Sequence, residues 1–183
     1  MPSSRAIFAV VLVCGLGAAH ANTVTVPVTQ PARVALLASP DLPYVDHIVV
    51  KKSQRRMYLM DGDRVVRSYK VELGLEPIGA KERDGDFRTP EGWYHLARRN
   101  PRSEFFLSIQ ISYPNAEDLE RARLHHWKTG GAIMIHGLPN RLKSSPWYYR
   151  HNDWTDVCIS VSDADMIEIW LLTREGMPID IQP

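Results

Sequence analysis

From His47 onward, apolar and polar residues alternate in short runs. Ile48-Val-Val-Lys-Lys and Arg56-Met-Tyr-Leu-Met60 are strand-like, and the stretch from Arg64 to Leu73 returns after Asp61-Gly62-Asp63. In the return, Val66, Ser68, Lys70 and Glu72 alternate with Val65, Tyr69, Val71 and Leu73, imperfectly, at period two. An Asp-Gly between two such runs predicts a hairpin. A calcium loop at Asp61 and Asp63 lacks the ligands that should follow. Residues 74–88 are a loop with glycines at 74, 79 and 85, and Thr89-Pro-Glu-Gly92 is a turn. Strands are expected over 93–97 and 105–113, the second ended by Pro114.

Asn115 is placed to cap a helix from Ala116 to about His126, with Glu117 and Asp118 in its first turn and Arg121 and Arg123 later, as the helix dipole favours. Gly130-Gly131 precedes the strand Ala132-Ile-Met-Ile135, which delivers His136. A polar and aromatic loop fills 138–153, and Cys158-Ile-Ser-Val161 is a short strand. Ser162-Asp-Ala-Asp165 resembles a capping box with Asp in place of Glu. It opens a helix through Met166, Ile169, Trp170 and Thr173, terminated by Gly176 and Pro178. Asp163 and Asp165 are therefore helix-start charges. The pattern is mainly β with a few short helices, which predicts a sandwich or barrel-like domain.

The first 21 residues have the pattern of a secretory signal peptide. Arg5 gives the positive end, Ala6 to Ala19 is uncharged, and Ala19-His20-Ala21 is a small-x-small cleavage site. The apolar run is shorter than the roughly 20 residues that span a bilayer. No later segment is apolar enough to do so. Residues 22–45 form an extended segment rich in Thr, Val and Pro, and 46–183 form one domain. The formal charge is +1 at pH 7. Loss of Arg5 takes it to about zero, which argues against a nucleic-acid partner. The basic pairs Lys51-Lys52, Arg55-Arg56 and Arg98-Arg99 are expected on solvated strand faces, with the holding of an anionic ligand as the alternative.

Cleavage removes Cys14 and leaves Cys158 as the only cysteine. A lone thiol in an exported chain has no intramolecular disulfide partner. His136, at the end of an apolar strand and followed by Gly137, offers a base for it. An unperturbed thiol has a pKa near 8.5, so attack on a carbonyl at neutral pH needs a base in reach. The base needs a group that fixes its tautomer, and the attack needs backbone N–H donors for the oxyanion. The residues leave other readings open: a buried small hydrophobe beside a satisfied core histidine, or an intermolecular disulfide. Zinc held by residues such as His125, His126, His151 and Cys158 matches no structural ligand spacing.

Four ordered pieces of sequence resemble the L,D-transpeptidase catalytic domain family, the YkuD-type domain of bacterial cell-wall enzymes, over roughly residues 46–181. They are the hairpin carrying Lys52-Ser-Gln-Arg-Arg-Met-Tyr-Leu and Val66-Arg-Ser-Tyr-Lys-Val-Glu-Leu-Gly74, Arg88-Thr-Pro-Glu-Gly-Trp-Tyr94, Ile133-Met-Ile-His-Gly137, and Thr155-Asp-Val-Cys-Ile-Ser160. The resemblance implies a YkuD-like fold, Cys158 as nucleophile, His136 as base and acid, and the Gly137 carbonyl as its orienter. It implies a periplasmic enzyme that cleaves diaminopimelate–D-Ala in peptidoglycan tetrapeptide stems and passes the acyl group to an amine. No metal or organic cofactor is implied. Water as acceptor would give an L,D-carboxypeptidase, or a hydrolase that releases wall-linked lipoprotein.

Two positions depart from the family pattern. Asp156 stands where many members have His, as in a Thr-Asp-Gly-Cys subgroup that includes enzymes detaching lipoprotein from peptidoglycan. It is expected to hold His136 or an acceptor amine, or to be a solvated charge. Val157 stands where Gly is usual. At positive φ, or where the backbone must approach the substrate closely, a β-branched residue would cost about 1–2 kcal/mol and crowd the oxyanion site beside Thr155 and Asp156. A catalytically impaired wall-binding member is then the rival, and Val157→Gly is expected to raise turnover. Arg88, Trp147 and Tyr149 are the expected substrate contacts, Arg88 for a stem carboxylate, with loop packing as the alternative for the two aromatic residues.

Overall fold

A computed structural model describes residues 42–183. The expected signal peptide and most of the expected extended segment lie outside the described residues. Eight strands follow the chain as β1 (His47–Lys51), β2 (Arg56–Asp61), β3 (Arg64–Lys70), β4 (Gly92–Ser103), β5 (Phe106–Ile111), β6 (Met134–His136), β7 (Ile159–Ser160) and β8 (Pro178–Gln182). The helices are α1 (Ala116–His125), α2 (Pro146–Tyr149) and α3 (Asp163–Leu172), and a 3-10 turn spans Lys52–Gln54.

The strands form one sheet in the order β3-β2-β1-β8-β4-β5-β6-β7. β4 bends the sheet. Its Gly92–His95 stretch pairs with β8, and from Leu96 it pairs with β5 across register shifts. The two edges meet again, because Glu72 and Gly74, just past β3, bridge to Ser160 of β7 and to Thr155 ahead of it. The result is the mainly β, barrel-like arrangement expected from the sequence. Its interior holds Ile48, Val50, Met57, Leu59, Leu96, Ile109, Ile111, Ile135, Ile159, Ile179 and Ile181, with Met166 and Ile169 of α3 packed in. Each such side chain contributes about 1.5–3 kcal/mol by leaving water.

The hairpin at Asp61-Gly62 forms as predicted, with Gly62 at φ 55°. α1 carries the Asn115 cap as a reciprocal box with Asp118. At α3, Ser162 Oγ accepts from Asp165 N and donates to the Asp165 carboxylate. Pro178 does more than end α3, the role that the sequence pattern suggests: it opens β8. That strand sits mid-sheet, parallel to β1 and antiparallel to β4. Proline is tolerated there as the first strand residue.

Three of the basic residues expected on solvated faces are engaged instead. Lys52 is buried, and its Nζ donates to Gly79 O, Thr89 O and Glu91. Burial pushes its pKa down against the pull of Glu91. Arg55 makes a bidentate pair with Asp153, and Arg99 lies 4.0 Å over the Trp170 ring. All three cations serve packing and loop anchoring.

The Thr89-Pro-Glu-Gly92 turn has a defined task. Thr89 Oγ1, fully buried, accepts from Gly74 N at 3.0 Å. A Cβ on Gly74 would lie 2.2 Å from Phe87 O and 3.1 Å from Asp156 O. Only glycine lets the 74–89 loop and the segment before Cys158 close on each other.

Candidate active site

β6 ends on His136, and β7 begins one residue after Cys158. Parallel pairing of Ile135 with Ile159 and of His136 with Ser160 puts the two residues on adjoining strands. Their side chains share the same face, because Cys158 lies two residues before Ser160. Both line one cleft of about 770 Å³.

His136 is buried. Its Nδ1 lies 2.7 Å from Gly137 O. A carbonyl only accepts, so Nδ1 carries the hydrogen and Nε2 is left as the acceptor. The Phe105 ring lies tilted against the imidazole at 4.6 Å, and the Trp154 ring meets it edge-on at 5.6 Å. Burial lowers the histidine pKa to about 4, opposed by the Gly137 carbonyl. The imidazole is therefore neutral at physiological pH.

The turn after His136 is held from three directions. Gly137 N donates to Phe105 O and Leu107 O. Leu138 N donates to Asp163 Oδ1 at 2.8 Å. A Cβ on Gly137 would stand 2.5 Å from Asp163 Oδ1 and 3.0 Å from Phe106 Cβ. Asp163 thus opens α3, as expected from the sequence, and also fixes the peptide next to the carbonyl that orients His136. That second task depends on a contact 25 residues away in the chain.

Cys158 is half-buried and reduced. Its Sγ lies 3.9 Å from Ala132 O, and it makes no hydrogen bond to His136 among the described residues. Burial raises the thiol pKa to about 11; the Met134 amide opposes this and Asp156 adds to it. The resting pair is thus a thiol and a neutral imidazole. Ala132, whose carbonyl meets the sulfur, is held at φ 54°.

Thr155 is buried, and its Oγ1 donates to Cys158 O at 2.8 Å, closing the 155–158 turn. Val157 is absent from the residues with positive φ, and it packs against the core. The backbone strain expected at Val157 is therefore not there. Asp156 is exposed at the cleft, not bonded to His136. Tyr149 lines the cleft; its hydroxyl accepts from Lys143 N and its ring meets Trp154 edge-on at 4.9 Å. The other two expected substrate contacts stand outside the cleft lining. Arg88 Nη1 lies 3.5 Å from Glu82, and Trp147 stacks on His151 at 4.5 Å. In their place, Phe105, Glu104, Arg141, Lys143 and Trp154 line the cleft. Sequence alone gave no sign of Phe105 or Trp154, because nothing local marks which aromatic turns inward. Among the described residues no cluster of histidine, cysteine and carboxylates is arranged to hold a metal.

The fold is a bent, edge-closed β domain that brings one cysteine and one histidine to a single cleft. The chain belongs to the L,D-transpeptidase catalytic domain family, whose model matches residues 45–181. It is 32% identical over 127 residues to YafK of Escherichia coli (strain K12), covering 66% of this chain and 48% of that protein. Pgp2 of Campylobacter jejuni, a helical cell shape determining protein, superposes with a TM-score of 0.57 at 27% identity, over 76% of this chain and 49% of Pgp2. Bd1075 of Bdellovibrio bacteriovorus shares the fold, with a TM-score of 0.54 at 24% identity over 75% of this chain and 48% of that one. The chain thus spans about half the length of these relatives.

Proposed function

We propose that this chain is a periplasmic peptidoglycan L,D-transpeptidase working through a Cys158 thioester. The observation that carries the reading is the oriented pair: His136, with Nδ1 committed to Gly137 O, faces the same cleft as Cys158 in a chain of this family.

In the proposed reaction, Nε2 of His136 takes the thiol proton as Sγ attacks the carbonyl at the L-centre of diaminopimelate. The developing oxyanion is met by backbone N–H groups of the 156–158 turn. The C–N bond to D-alanine breaks, and His136 returns the proton to the leaving amine. An acceptor amine then attacks the thioester, His136 removes its proton, and the thiol is restored. The pair starts neutral, so no charge has to be desolvated before substrate arrives. Phe105 and Trp154 pack against the imidazole and hold it in the cleft.

The expected signal peptide supports a periplasmic site of action, and no described helix is long and apolar enough to cross a membrane. The role named for Pgp2 in helical cell shape fits an enzyme that remodels wall cross-links. Incubation with purified sacculi, followed by digestion and separation of muropeptides, tests the reading. New dimers joined between two diaminopimelate residues are expected. Loss of D-alanine or of bound lipoprotein without new dimers would reassign the chain to hydrolysis.

A further inference from the structure

β5, β6 and β7 bring two serines into one row with His136. Ser108 pairs with it across the antiparallel β5–β6 contact, and Ser160 across the parallel β6–β7 contact. Residues paired in register present their side chains on the same face of a sheet, so the imidazole has a serine on either side. The neighbouring row, Ile109, Ile135 and Ile159, faces the core. Gly137 N donates to Leu107 O, and Ile111 N to Ile133 O. The hydrogen-bonded pairs of β5 and β6 therefore alternate around Ser108 and His136, which form the non-hydrogen-bonded kind, with side chains closest together. Ser108 is 1% exposed and Ser160 0%, and neither hydroxyl has a hydrogen-bond partner among the described residues. The other buried serine and threonine hydroxyls among those residues, of Thr89, Ser103, Thr155 and Thr173, are all bonded. The two that are not are the two that flank His136.

A buried hydroxyl left unpaired works against the fold, and alanine, nearly the same size, would avoid that cost. The row lacks a charge at rest, because burial holds His136 neutral. Acyl transfer makes it an imidazolium, out of water and with no side chain bonded to its ring among the described residues. With Nδ1 held by Gly137 O and Nε2 carrying the thiol proton, the flanking hydroxyls are free to turn their oxygens toward the charged ring. We propose that Ser108 and Ser160 are positioning residues for the transient charge on His136, their hydroxyl dipoles stabilising the imidazolium and leaving the neutral ring almost unaffected. A contact that strengthens only as charge develops lowers the barrier without tightening substrate binding. The inference rests on the Cys158 acyl-transfer reading. Glu72, whose backbone bridges to Ser160, stands one place further along the row with its carboxylate on Lys70.

Kinetics and a histidine titration test this together. Ser108→Ala and Ser160→Ala each lower kcat for D-alanine release from a tetrapeptide stem about tenfold at unchanged KM. Their thermal midpoints stay level or rise, since an unpaired buried hydroxyl is removed. Ser160→Thr keeps a hydroxyl and recovers most of the rate. In a Cys158→Asp background a carboxylate takes the place of the thiolate, and NMR titration reads the imidazolium directly. There each alanine substitution lowers the His136 pKa by about one unit. The charged groups that face the ring from the cleft, Glu104, Arg141, Lys143 and Asp156, and Asp163 behind the Gly137 turn, are the same in every variant. An unmoved His136 pKa overturns the role. So does an active enzyme whose alanine variants keep their full kcat, or lose it only together with a lower thermal midpoint or a raised KM. The titration needs no turnover, so its failure leaves the acyl-transfer proposal standing. A wild type that releases no D-alanine while both pKa shifts appear keeps the role of the serines and loses the reaction.

Discussion

At the residue scale, the protonation state of the pair separates two kinds of cysteine catalysis. A preformed thiolate–imidazolium pair reacts with iodoacetamide at a rate that levels off near neutral pH. Here burial drives the thiol up to about 11 and the imidazole down to about 4, so both are neutral between those values. The thiolate fraction then rises about tenfold per pH unit, and alkylation of Cys158 should climb from pH 6 to beyond pH 9 without a plateau. A plateau below pH 8 would show an ion pair instead. Val157 is the second residue whose role changes. Its expected strain came from a family position usually held by glycine, but its backbone is not at positive φ and its side chain packs on the core. Val157→Gly should therefore lower stability by about 1–3 kcal/mol, from lost burial and added backbone freedom, with no gain in acylation. Faster acylation of Cys158 in the glycine variant would restore the crowding argument.

At the scale of elements, local chemistry was legible wherever it was decided within a few residues. Asp61-Gly62 gave the hairpin, Asn115 and Ser162 gave the helix starts, and the apolar run before His136 gave β6. β8 was missed although Ile179 and Ile181 alternate with Asp180 and Gln182, because its five residues follow a helix stop and depend on two distant partners. The continuation of β4 through Arg98 to Ser103 was missed for a like reason: polar residues and Pro101 hide a strand that is held by β5. The inward turn of Trp154 and the outward placement of Arg88 and Trp147 depend on contacts with residues outside their own segments or turns, Phe105 and Tyr149 for Trp154, Glu82 for Arg88 and His151 for Trp147. The α3 N-terminus offers the sharpest element-level test. Asp163→Ala leaves Leu138 N–H without its acceptor and frees the Gly137 peptide, so kcat should fall between about tenfold and a hundredfold with little change in KM. Asp163→Asn keeps an oxygen acceptor and should recover most of the rate. Equal loss in both variants, or loss confined to KM, would remove Asp163 from the positioning of His136.

At the scale of the molecule, the site exists because the sheet closes on itself. The bridges from Glu72 and Gly74 to Ser160 and Thr155 bring the far edge of the β1–β3 hairpin region against the nucleophile turn. A Cβ on Gly74 would meet backbone on both sides of that closure, Phe87 O at 2.2 Å and Asp156 O at 3.1 Å. Gly74→Ala should destabilise the domain by about 1–3 kcal/mol or more in urea unfolding, because the clash is with backbone. Gly131→Ala, with open space around its Cβ, should stay within about 0.5 kcal/mol. Equal stability of the two variants would mean that the closure is slack.

The central claim is that Cys158 forms a thioester with a peptidoglycan stem. Intact-protein mass spectrometry after mixing with a diaminopimelate tetrapeptide stem tests it most directly. The mechanism predicts free D-alanine and a Cys158 adduct equal in mass to the tripeptide acyl group, both abolished by Cys158→Ser. An unmodified Cys158 with no D-alanine released, in a protein whose thiol still reacts with iodoacetamide, would contradict it.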